Sequence, residues 1–265
     1  MQSFTDQAYL RTQQYSNANN LDARVALHTF FSTNPYGWQR WLFEHLPLSA
    51  GKSVLELGCG PGNLWALNLD RLPPNLDLTL SDFSSGMLEE ARNRLNGMLD
   101  MHYEVIDAQN IPYPVAAFDL LIANHMLYHV PDRHMALREI NRVLKPRGYF
   151  CASTVGEGHM HELADLVRGF DSNLPAALIS QSVGFTLQNG GTVLKQYFER
   201  VDRYIYPDTL EITQAAPLIA YVASTAGVML SGDHLNGFSQ YVEKILEARS
   251  SIHVTKESGV FVCVK

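Results

Sequence analysis

The sequence predicts an α/β fold built on a mostly parallel sheet, with helices wound on both of its faces. From residue 53 onward, short apolar runs alternate with stretches of helical periodicity, which is the pattern of βαβ units. The apolar runs lie at 53–57, 76–81, 101–106, 118–123 and 148–154, and the helical stretches lie at 62–70, 84–97 and 132–144. The chain has 265 residues, 46% of them hydrophobic, which is enough for one large core and an added cap.

The first 50 residues predict a helical cap. The stretch 20–22 is a capping sequence for a helix through Phe31, and the pair Asn34-Pro35 predicts the start of a second helix. Within the α/β part, Ser84 or Ser85 is expected to cap the middle helix. The pair Lys145-Pro146 is expected to end the third helix, because a residue before proline disfavours helical backbone.

Beyond residue 155 the alternation is less regular. The periodicity predicts helices over 157–189, 214–230 and 234–249, with a break at Pro175 and another at 189–191. It also predicts a strand over 197–206. A strand pair is predicted in 251–264, with its turn near 257–259. We therefore expect an N-terminal helical cap at 1–50 and one α/β domain at 51–265. Its C-terminal helical insertion is expected at about 157–195 and 207–250.

Composition excludes several classes of protein. The net charge is −7 and the sequence has no dense cluster of Lys and Arg, so we expect no nucleic-acid partner. The three cysteines are far apart and form no CxxC pair, which disfavours disulfides and zinc. The uncharged stretch 212–232 contains Pro217 and Gly227 and is interpreted as buried rather than membrane-spanning, and the polar N-terminus predicts a cytoplasmic protein.

The stretch SVLELGCGPGN at 53–63 predicts a strand that turns sharply beneath a ligand. Its glycines, Gly58, Gly60 and Gly62, have the spacing GxGxG, which is neither the dinucleotide GxGxxG nor a phosphate-binding P-loop. No Lys or Arg occurs from residue 53 to residue 70, and Glu56 lies just before the turn. A carboxylate at that place repels a pyrophosphate and suits an amine or a sulfonium.

Two further acids follow the next predicted strands. Asp82 ends the second strand, about twenty residues past the glycine turn, where an acid accepts both hydroxyls of a ribose. The stretch Asp107-Ala108-Gln109 closes the third strand, where an acid and a backbone N–H can read an adenine edge. These features predict an adenosine-containing cofactor but leave open which one.

Five motifs together resemble one family. They are VLELGCGPGN, LTLSDFSSGMLEEA, DAQNIP, FDLLIANHMLYHVPD and REINRVLKPRGYF. In this order and spacing the chain resembles the class I S-adenosylmethionine-dependent methyltransferases of the small-molecule type. The flanking stretches FFSTNPYGWQRWLFEHLPL and HVTKESGVFVCVK look similar to one bacterial branch, so the resemblance covers nearly the whole chain. One departure is Arg147, where the family usually has a second glycine after the proline.

The resemblance implies a Rossmann-like, seven-stranded sheet, S-adenosyl-L-methionine as cofactor and a small-molecule methyl acceptor. It implies that Glu56 holds the ammonium of the cofactor through water, that Asp82 binds the ribose and that Asp107 binds the adenine. The full cofactor site implied in this way is Tyr15, Glu56, Gly58, Gly60, Asp82, Phe83, Met87, Asp107, Ala108, Gln109, Asn124 and His125. In this fold the N-terminal helices commonly cover the cofactor, so Tyr15, Tyr36 or Trp38 is expected to close over it.

The candidate catalytic residues follow the fourth strand. In related enzymes a Glu-His pair faces the acceptor there, and this chain has Tyr128-His129 instead. His129 is the first candidate for a base or an acceptor-orienting group, although the missing acid also leaves a purely structural histidine open. His125 and His129 are four residues apart, but no third ligand has a recognisable spacing, so no metal is expected.

Other residues are candidates for the acceptor side. His159 and His161 with Glu157 follow the fifth strand, although an exposed helix start explains them equally well. The stretch 214–230, which includes Tyr221, predicts an apolar roof. An apolar roof favours a hydrophobic or aromatic metabolite as the acceptor.

Four alternatives remain open at this point. A base-methylating enzyme would carry an Asp/Asn-Pro-Pro-Tyr motif after the fourth strand, where this chain has Asn124-His125-Met126-Leu127. An arsenic methyltransferase would need several thiols near the site. A non-catalytic sensor or partner subunit that binds the cofactor would keep the same binding motifs, and an NAD-dependent oxidoreductase is disfavoured by the glycine spacing and by Glu56. A monomer and a homodimer are both compatible with the sequence.

Overall fold

The computed structural model describes residues 5–10, 19–98, 101–174, 184–226 and 230–265. In chain order the strands are β1 (Ser53–Leu57), β2 (Asp77–Asp82), β3 (His102–Val105), β4 (Phe118–Ala123), β5 (Leu144–Val155), β6 (Arg200–Tyr206), β7 (Thr209–Ile212), β8 (Ile252–Thr255) and β9 (Ser258–Val264). The α-helices are α1 (Gln7–Tyr9), α2 (Asn19–Phe31), α3 (Trp38–Glu44), α4 (Asn63–Ala66), α5 (Ser85–Leu95), α6 (Arg133–Val143), α7 (His161–Phe170), α8 (Gly190–Leu194), α9 (Ala215–Ala226) and α10 (Gly232–Arg249).

Within these residues seven strands form one sheet in the order β3-β2-β1-β4-β5-β9-β6. Strands β1 to β5 pair in parallel, whereas β9 runs antiparallel to both β5 and β6. The strand order reverses at β1, which is flanked by β2 and β4. This arrangement confirms the predicted α/β class and the Rossmann-like, mostly parallel sheet, and it creates a crevice at the carboxyl ends of β1 and β4.

Local sequence explains the elements next to that crevice. The Ser84 hydroxyl accepts from the backbone N–H of Met87 and so caps α5, as predicted. Met87, Leu88, Ala91 and Leu95 form the buried face of this helix. Helix α6 begins in the same way, with the Asp132 carboxylate accepting from the N–H of Met135.

Strand β5 is longer than predicted. It begins at Leu144 rather than at residue 148, and its pairing with β4 is shifted between Phe118 and Leu120. Arg147 has a left-handed backbone, with φ of 63°, and its N–H donates to the carbonyl of Lys265. This residue lies at the start of β5, at the edge of the sheet opposite the crevice. The departure at Arg147 is therefore a local feature of the turn.

The C-terminal part contains three departures from the predicted elements. The two strands expected within 251–264 are present, but they belong to different sheets: β8 pairs with β7, and β9 lies between β5 and β6. Strand β7 was not predicted. A short helix, α8, begins at Gly190, where a break was expected, and the part of 157–189 from residue 175 to residue 183 lies outside the described residues.

The N-terminal segment packs against two different cores. Leu42 and Phe43 of α3 pack on the face of the sheet that also buries Trp65. By contrast, Leu27 and Phe31 of α2 share a second core with α7, α9, α10 and the β7–β8 pair. The division at residue 50 stays a prediction, but α2 and the C-terminal insertion are packed as one body.

The uncharged stretch 212–232 contains α9, which contributes Leu218 and Val222 to that second core. In the part of the chain that the structure describes, no helix combines the length and the apolar character needed to cross a membrane.

Candidate active site

A cavity of about 770 Å³ opens at the carboxyl ends of β1, β2 and β4. Parallel strands deliver their carboxyl ends to one edge of the sheet, so residues that are distant in sequence meet there. Gly58 follows β1, Asp82 ends β2 and Asn124 follows β4, and all three line the cavity. The rest of the wall comes from α2, α3 and the C-terminal insertion.

The glycine turn is shaped by close backbone approach. Gly58 and Gly60 have φ of 69° and 54°, in the left-handed region that glycine adopts without strain. A Cβ on Gly58 would lie 2.8 Å from the Cβ of Met126, which follows β4. The turn therefore excludes any side chain at this position and leaves its backbone exposed to the cavity.

Glu56 lies beneath the glycine turn and does not line the cavity. It is 1% exposed, and its Oε2 accepts from Trp65 Nε1 at 2.5 Å. Burial raises the pKa of this carboxyl to about 7, against the indole hydrogen bond, which acts to lower it. The structure therefore holds Glu56 against Trp65, behind the wall that the glycine turn presents to the cavity.

Asp82, Phe83 and Met87, which the resemblance assigns to a ribose and adenine site, all line the cavity. Asp82 accepts from the N–H of Gly60 at 2.9 Å and from the N–H of Ser84 at 2.8 Å. Burial raises the pKa of Asp82 although both backbone donors favour its charged form. Each of its oxygens keeps a lone pair beyond these contacts, which can accept from a ligand hydroxyl.

Asp107 and Ala108 also line the cavity, but Gln109 does not. The side chain of Gln109 donates to both oxygens of Asp107, at 3.0 and 3.1 Å, so it positions the carboxylate. Gln7 of α1 donates to Asp107 Oδ2 at 3.2 Å and lines the cavity. Gln7 lies outside the motifs described above, so no sequence pattern pointed to it.

The N-terminal cap covers this part of the cavity. Leu21 of α2 lies 3.6 Å from where a Cβ of Gly60 would stand, and Leu10 also lines the wall. Tyr15 lies outside the described residues. Tyr36 and Trp38 both line the cavity.

Asn124 links the cap to the sheet. Its Oδ1 accepts from Trp38 Nε1 at 3.2 Å and from Ser153 Oγ at 2.8 Å. The amide is therefore held by both neighbours at the end of β4. Although residues 53–70 contain no Lys or Arg, a cation does reach the glycine turn, because Arg94 of α5 lines the cavity and donates to Asn63.

His125 has a left-handed backbone with φ of 54°, which is rare for a histidine. Its N–H donates to Ser153 Oγ at 2.9 Å, and its ring centroid is 4.8 Å from that of Trp38. Burial lowers the pKa of His125 to about 4, and the nearby charge of Lys256 acts in the same direction. The imidazole is therefore neutral at physiological pH.

Tyr128 and His129 lie on a 3₁₀ turn, Leu127–His129, that follows β4. Both line the cavity, and their rings are in edge contact with centroids 4.6 Å apart. Tyr128 is only 7% exposed and packs against the main core. The two candidate catalytic residues are therefore at the wall, on a short turn held by the core.

The far end of the cavity contains residues that the sequence did not single out together. His28, Tyr206, Tyr221 and Lys256 line it with His159. They come from α2, β6, α9 and the loop after β8, so only the tertiary fold assembles them. Of the group proposed after the fifth strand, His159 reaches the wall, whereas Glu157 is exposed and His161 faces outward at the start of α7.

Comparison with known proteins identifies the family. Residues 55–152 match the family described as "Methyltransferase domain". The chain carries a class I S-adenosylmethionine-dependent methyltransferase domain. The match confirms the predicted family, and with it the cofactor S-adenosyl-L-methionine, for this part of the chain, which is 98 of the 265 residues.

Two curated relatives of this methyltransferase domain cover only part of the chain. A demethylmenaquinone methyltransferase of Lactobacillus johnsonii is 33% identical over 115 residues, which are 42% of this chain and 47% of that protein. A malonyl-[acyl-carrier protein] O-methyltransferase of Legionella pneumophila is 34% identical over 124 residues, which are 46% and 43%. The chain thus spans less than half the length of these relatives.

Solved structures support the fold over a longer stretch. Phosphoethanolamine N-methyltransferase 2 of Haemonchus contortus, in complex with S-adenosyl-L-methionine, has a TM-score of 0.61 and 20% identity, covering all of this chain and 60% of that one. The [4+2]-cyclase SpnF has a TM-score of 0.54 and 18% identity, covering 86% and 80%. The same fold therefore occurs in a protein named for a different reaction.

We expect Glu56→Gln to change how stability depends on pH. A carboxyl with a raised pKa binds its proton more tightly when folded, so its contribution is present below its ordinary pKa of 4.5 and is lost as the pH rises through about 7. Glutamine keeps an acceptor for Trp65 without the charge. Between pH 4.5 and pH 8 the variant should gain about 3 kcal/mol in free energy of unfolding relative to wild type, measured by urea denaturation. Exposed Glu89→Gln is the control, and a pH-independent difference for Glu56→Gln would contradict the raised pKa.

Gly58→Ala should weaken cofactor binding through its clash with Met126. Gly97→Ala is the matched control, because Gly97 has φ of 72° but nothing within 4 Å of its Cβ position. In both variants an alanine must adopt left-handed backbone, which costs about 1–2 kcal/mol of stability. Only Gly58→Ala should lower the calorimetric affinity for S-adenosylhomocysteine, by about tenfold or more, which is 1.4 kcal/mol. Equal affinities in the two variants would show that the close approach is unimportant for the cofactor.

Proposed function

We propose that the protein binds S-adenosylmethionine in this cavity and transfers its methyl group to a small-molecule acceptor. The observation that carries the proposal is the continuity of the cavity, which runs from the glycine turn to the aromatic and basic residues at the far end. Cofactor and acceptor can therefore be enclosed together. The family assignment and the names of the two curated relatives, which are both methyltransferases, support the same reaction.

The residues near the glycine turn fit the parts of the cofactor. Asp82 can accept from the ribose hydroxyls, and Asp107 with the N–H of Ala108 can bind the adenine edge between Phe83 and Met87. Gly58 and Asn124 lie where the methionine end would approach. When bound, S-adenosylmethionine supplies an electrophilic methyl group on a positively charged sulfur.

An enclosed cavity favours methyl transfer by in-line displacement. The charge on sulfur is lost as the methyl group moves, so removal of water from the site favours the reaction. Holding the acceptor atom in line contributes up to about 7–11 kcal/mol in favourable cases. The cap supports this enclosure through the hydrogen bond from Trp38 to Asn124.

The walls of the far end favour an acceptor with a hydrophobic or aromatic body. Trp38 and Tyr206 are in edge contact, with centroids 5.5 Å apart, and Tyr221 lines the same space from α9. Flat apolar groups pack well against such rings. Demethylmenaquinone, which the name of one relative gives as its substrate, is an acceptor of this kind.

His129 is the proposed base or orienting group, with Tyr128 beside it. His125 is the second candidate: the hydrogen bonds described for it involve its backbone, and its ring nitrogens have no hydrogen-bond partner in the described part of the chain. A pKa of about 4 keeps His125 unprotonated at neutral pH but makes it a weak base. His125 is therefore better suited to accept a hydrogen bond from the substrate that receives the methyl group than to remove a proton from that substrate.

The proposed function is tested by cofactor binding followed by methyl release. Calorimetry should show binding of S-adenosylhomocysteine and no binding of NAD, and labelled S-adenosylmethionine should lose its methyl group to one or more members of a panel of small acceptors. Binding of NAD in place of S-adenosylhomocysteine would overturn the cofactor assignment. Binding without transfer to any acceptor would favour the sensor alternative.

Replacement of His129 by asparagine should lower kcat by about 10²–10⁴-fold, which is the contribution of a general base, with the affinity for S-adenosylhomocysteine unchanged. His134→Asn is the matched control, because His134 lies on α6 outside the cavity and bonds to Tyr197. A His129→Asn enzyme with wild-type kcat would remove His129 from the reaction, and His125→Asn would then be the variant to measure.

A further inference from the structure

Charge is unevenly distributed along the cavity. The acidic residues that line it are Asp22, Asp82 and Asp107. Asp82 bonds to Gly60 of the glycine turn, and Asp22 is next in sequence to Leu21, which packs against Gly60. The far end has no carboxylate on its wall among the described residues. It has instead Lys256 and three histidines, His28, His125 and His159. Arg94 also lines the wall beside the glycine turn, so acids and a cation are mixed there, whereas the far end is basic.

Lys256 faces this far end as a buried cation. Its side chain is 7% exposed and its Nζ lies 5.5 Å from the ring centroid of Tyr206, which lines the same space. Its counterion, Asp208, is fully buried and lies behind the wall rather than on it. Seen from the cavity, the ion pair presents its positive side.

The hydrogen bonds around Asp208 and Lys256 are unequal. Asp208 accepts from Lys256, from Ser32 Oγ at 2.7 Å and from the N–H of Asn34 at 3.1 Å. The ammonium of Lys256 has three N–H groups, and Asp208 is its one acceptor among the described residues. Two donors of a buried cation thus have no acceptor in the described part of the chain, which is costly unless a ligand provides one.

His159 provides a further donor. Its Nδ1 accepts from the backbone N–H of Glu257 at 3.1 Å, so the neutral ring carries its proton on Nε2. Burial and the charge of Lys256 lower the pKa of His159 to about 3, which keeps this tautomer at physiological pH. Nε2 has no partner in the described residues, and the ring lines the cavity. The N–H of Nε2 is therefore available to a ligand.

We propose that the methyl acceptor carries an acidic oxygen group, a carboxylate or a phosphate, which Lys256 Nζ and His159 Nε2 bind at the far end of the cavity. The inference rests on the proposed function. Charge-assisted hydrogen bonds to an anion satisfy the N–H donors of Lys256 that have no acceptor among the described residues. The body of the acceptor then lies along Trp38 and Tyr206, and its reacting atom points toward the glycine turn.

A structural role for the ion pair is the competing explanation. Asp208 joins the cap to the insertion through Ser32 and Asn34, and Lys256 could serve only to neutralise it. Removal of both charges then changes stability and leaves ligand preference unaltered. Ligand preference and stability must therefore be measured on the same variants.

The test compares charged and uncharged probes by fluorine NMR. The pairs are 4-fluorobenzoate against 4-fluorobenzamide and 4-fluorophenyl phosphate against 4-fluorophenol, each titrated with and without saturating S-adenosylhomocysteine. Wild type should bind at least one anionic probe about tenfold or more tightly than its neutral partner. The probe that shows the larger preference distinguishes a carboxylate site from a phosphate site.

The variants separate binding from folding. Lys256→Met with Asp208→Asn leaves a neutral pair and should abolish the anion preference, whereas Lys256→Arg should retain it. His159→Phe removes the donor and should reduce the preference. Urea denaturation reports the stability of each variant, and only folded variants are compared.

The outcomes distinguish failure of the anion site from failure of the proposed function. No anion preference in wild type, or an equal preference in the neutral-pair variant, overturns the anion site even where S-adenosylhomocysteine binds and the proposed function stands. If S-adenosylhomocysteine does not bind, the proposed function fails. A preference that depends on Lys256 in that case supports the anion site for a different ligand.

Discussion

The site depends on the close approach between two strand ends. After β1 the chain turns at Gly58, and after β4 it passes His125 and Met126, and both Gly58 and His125 have left-handed backbone. The Gly58 Cβ position lies within 2.8 Å of Met126, so the two segments are as near as backbone allows. This contact sits where the strand order of the sheet reverses, and the cavity opens directly above it. Asn124, fixed by Trp38 and Ser153, then joins the cap to the same point.

The part of the fold that sequence predicts well is the part with local signals. Strands β1 to β4 are short apolar runs between turn residues, and α5 has both a serine cap and a periodic apolar face. By contrast, β7 is a four-residue strand that the sequence did not predict, and it pairs with β8 across about forty residues. The hairpin expected near residue 257 was wrong because the two strands have partners elsewhere, which only tertiary structure decides.

The residues of the candidate site also fall into those that the sequence predicts and those that it does not. Residues within motifs, such as Asp82, Asp107 and Asn124, reach the wall because they follow parallel strands, whose ends always meet at one edge. Glu56 lies in the first motif but is held by Trp65 under the turn, and a buried indole nine residues away could not be anticipated from spacing. Lys256, His28 and Tyr206 come from separate elements with no common pattern. Their side chains meet because α2 packs with the insertion instead of forming an independent cap.

The carboxylate of Asp208 joins the segment after α2 to the buried cation that lines the cavity. It accepts from Ser32, Thr33 and Asn34, which follow α2, and from Lys256, which lies beside β9. A movement of α2 away from the β6–β7 connection would therefore break these contacts together and expose both members of the ion pair to water. The same carboxylate thus couples the position of the segment after α2 to the position of Lys256.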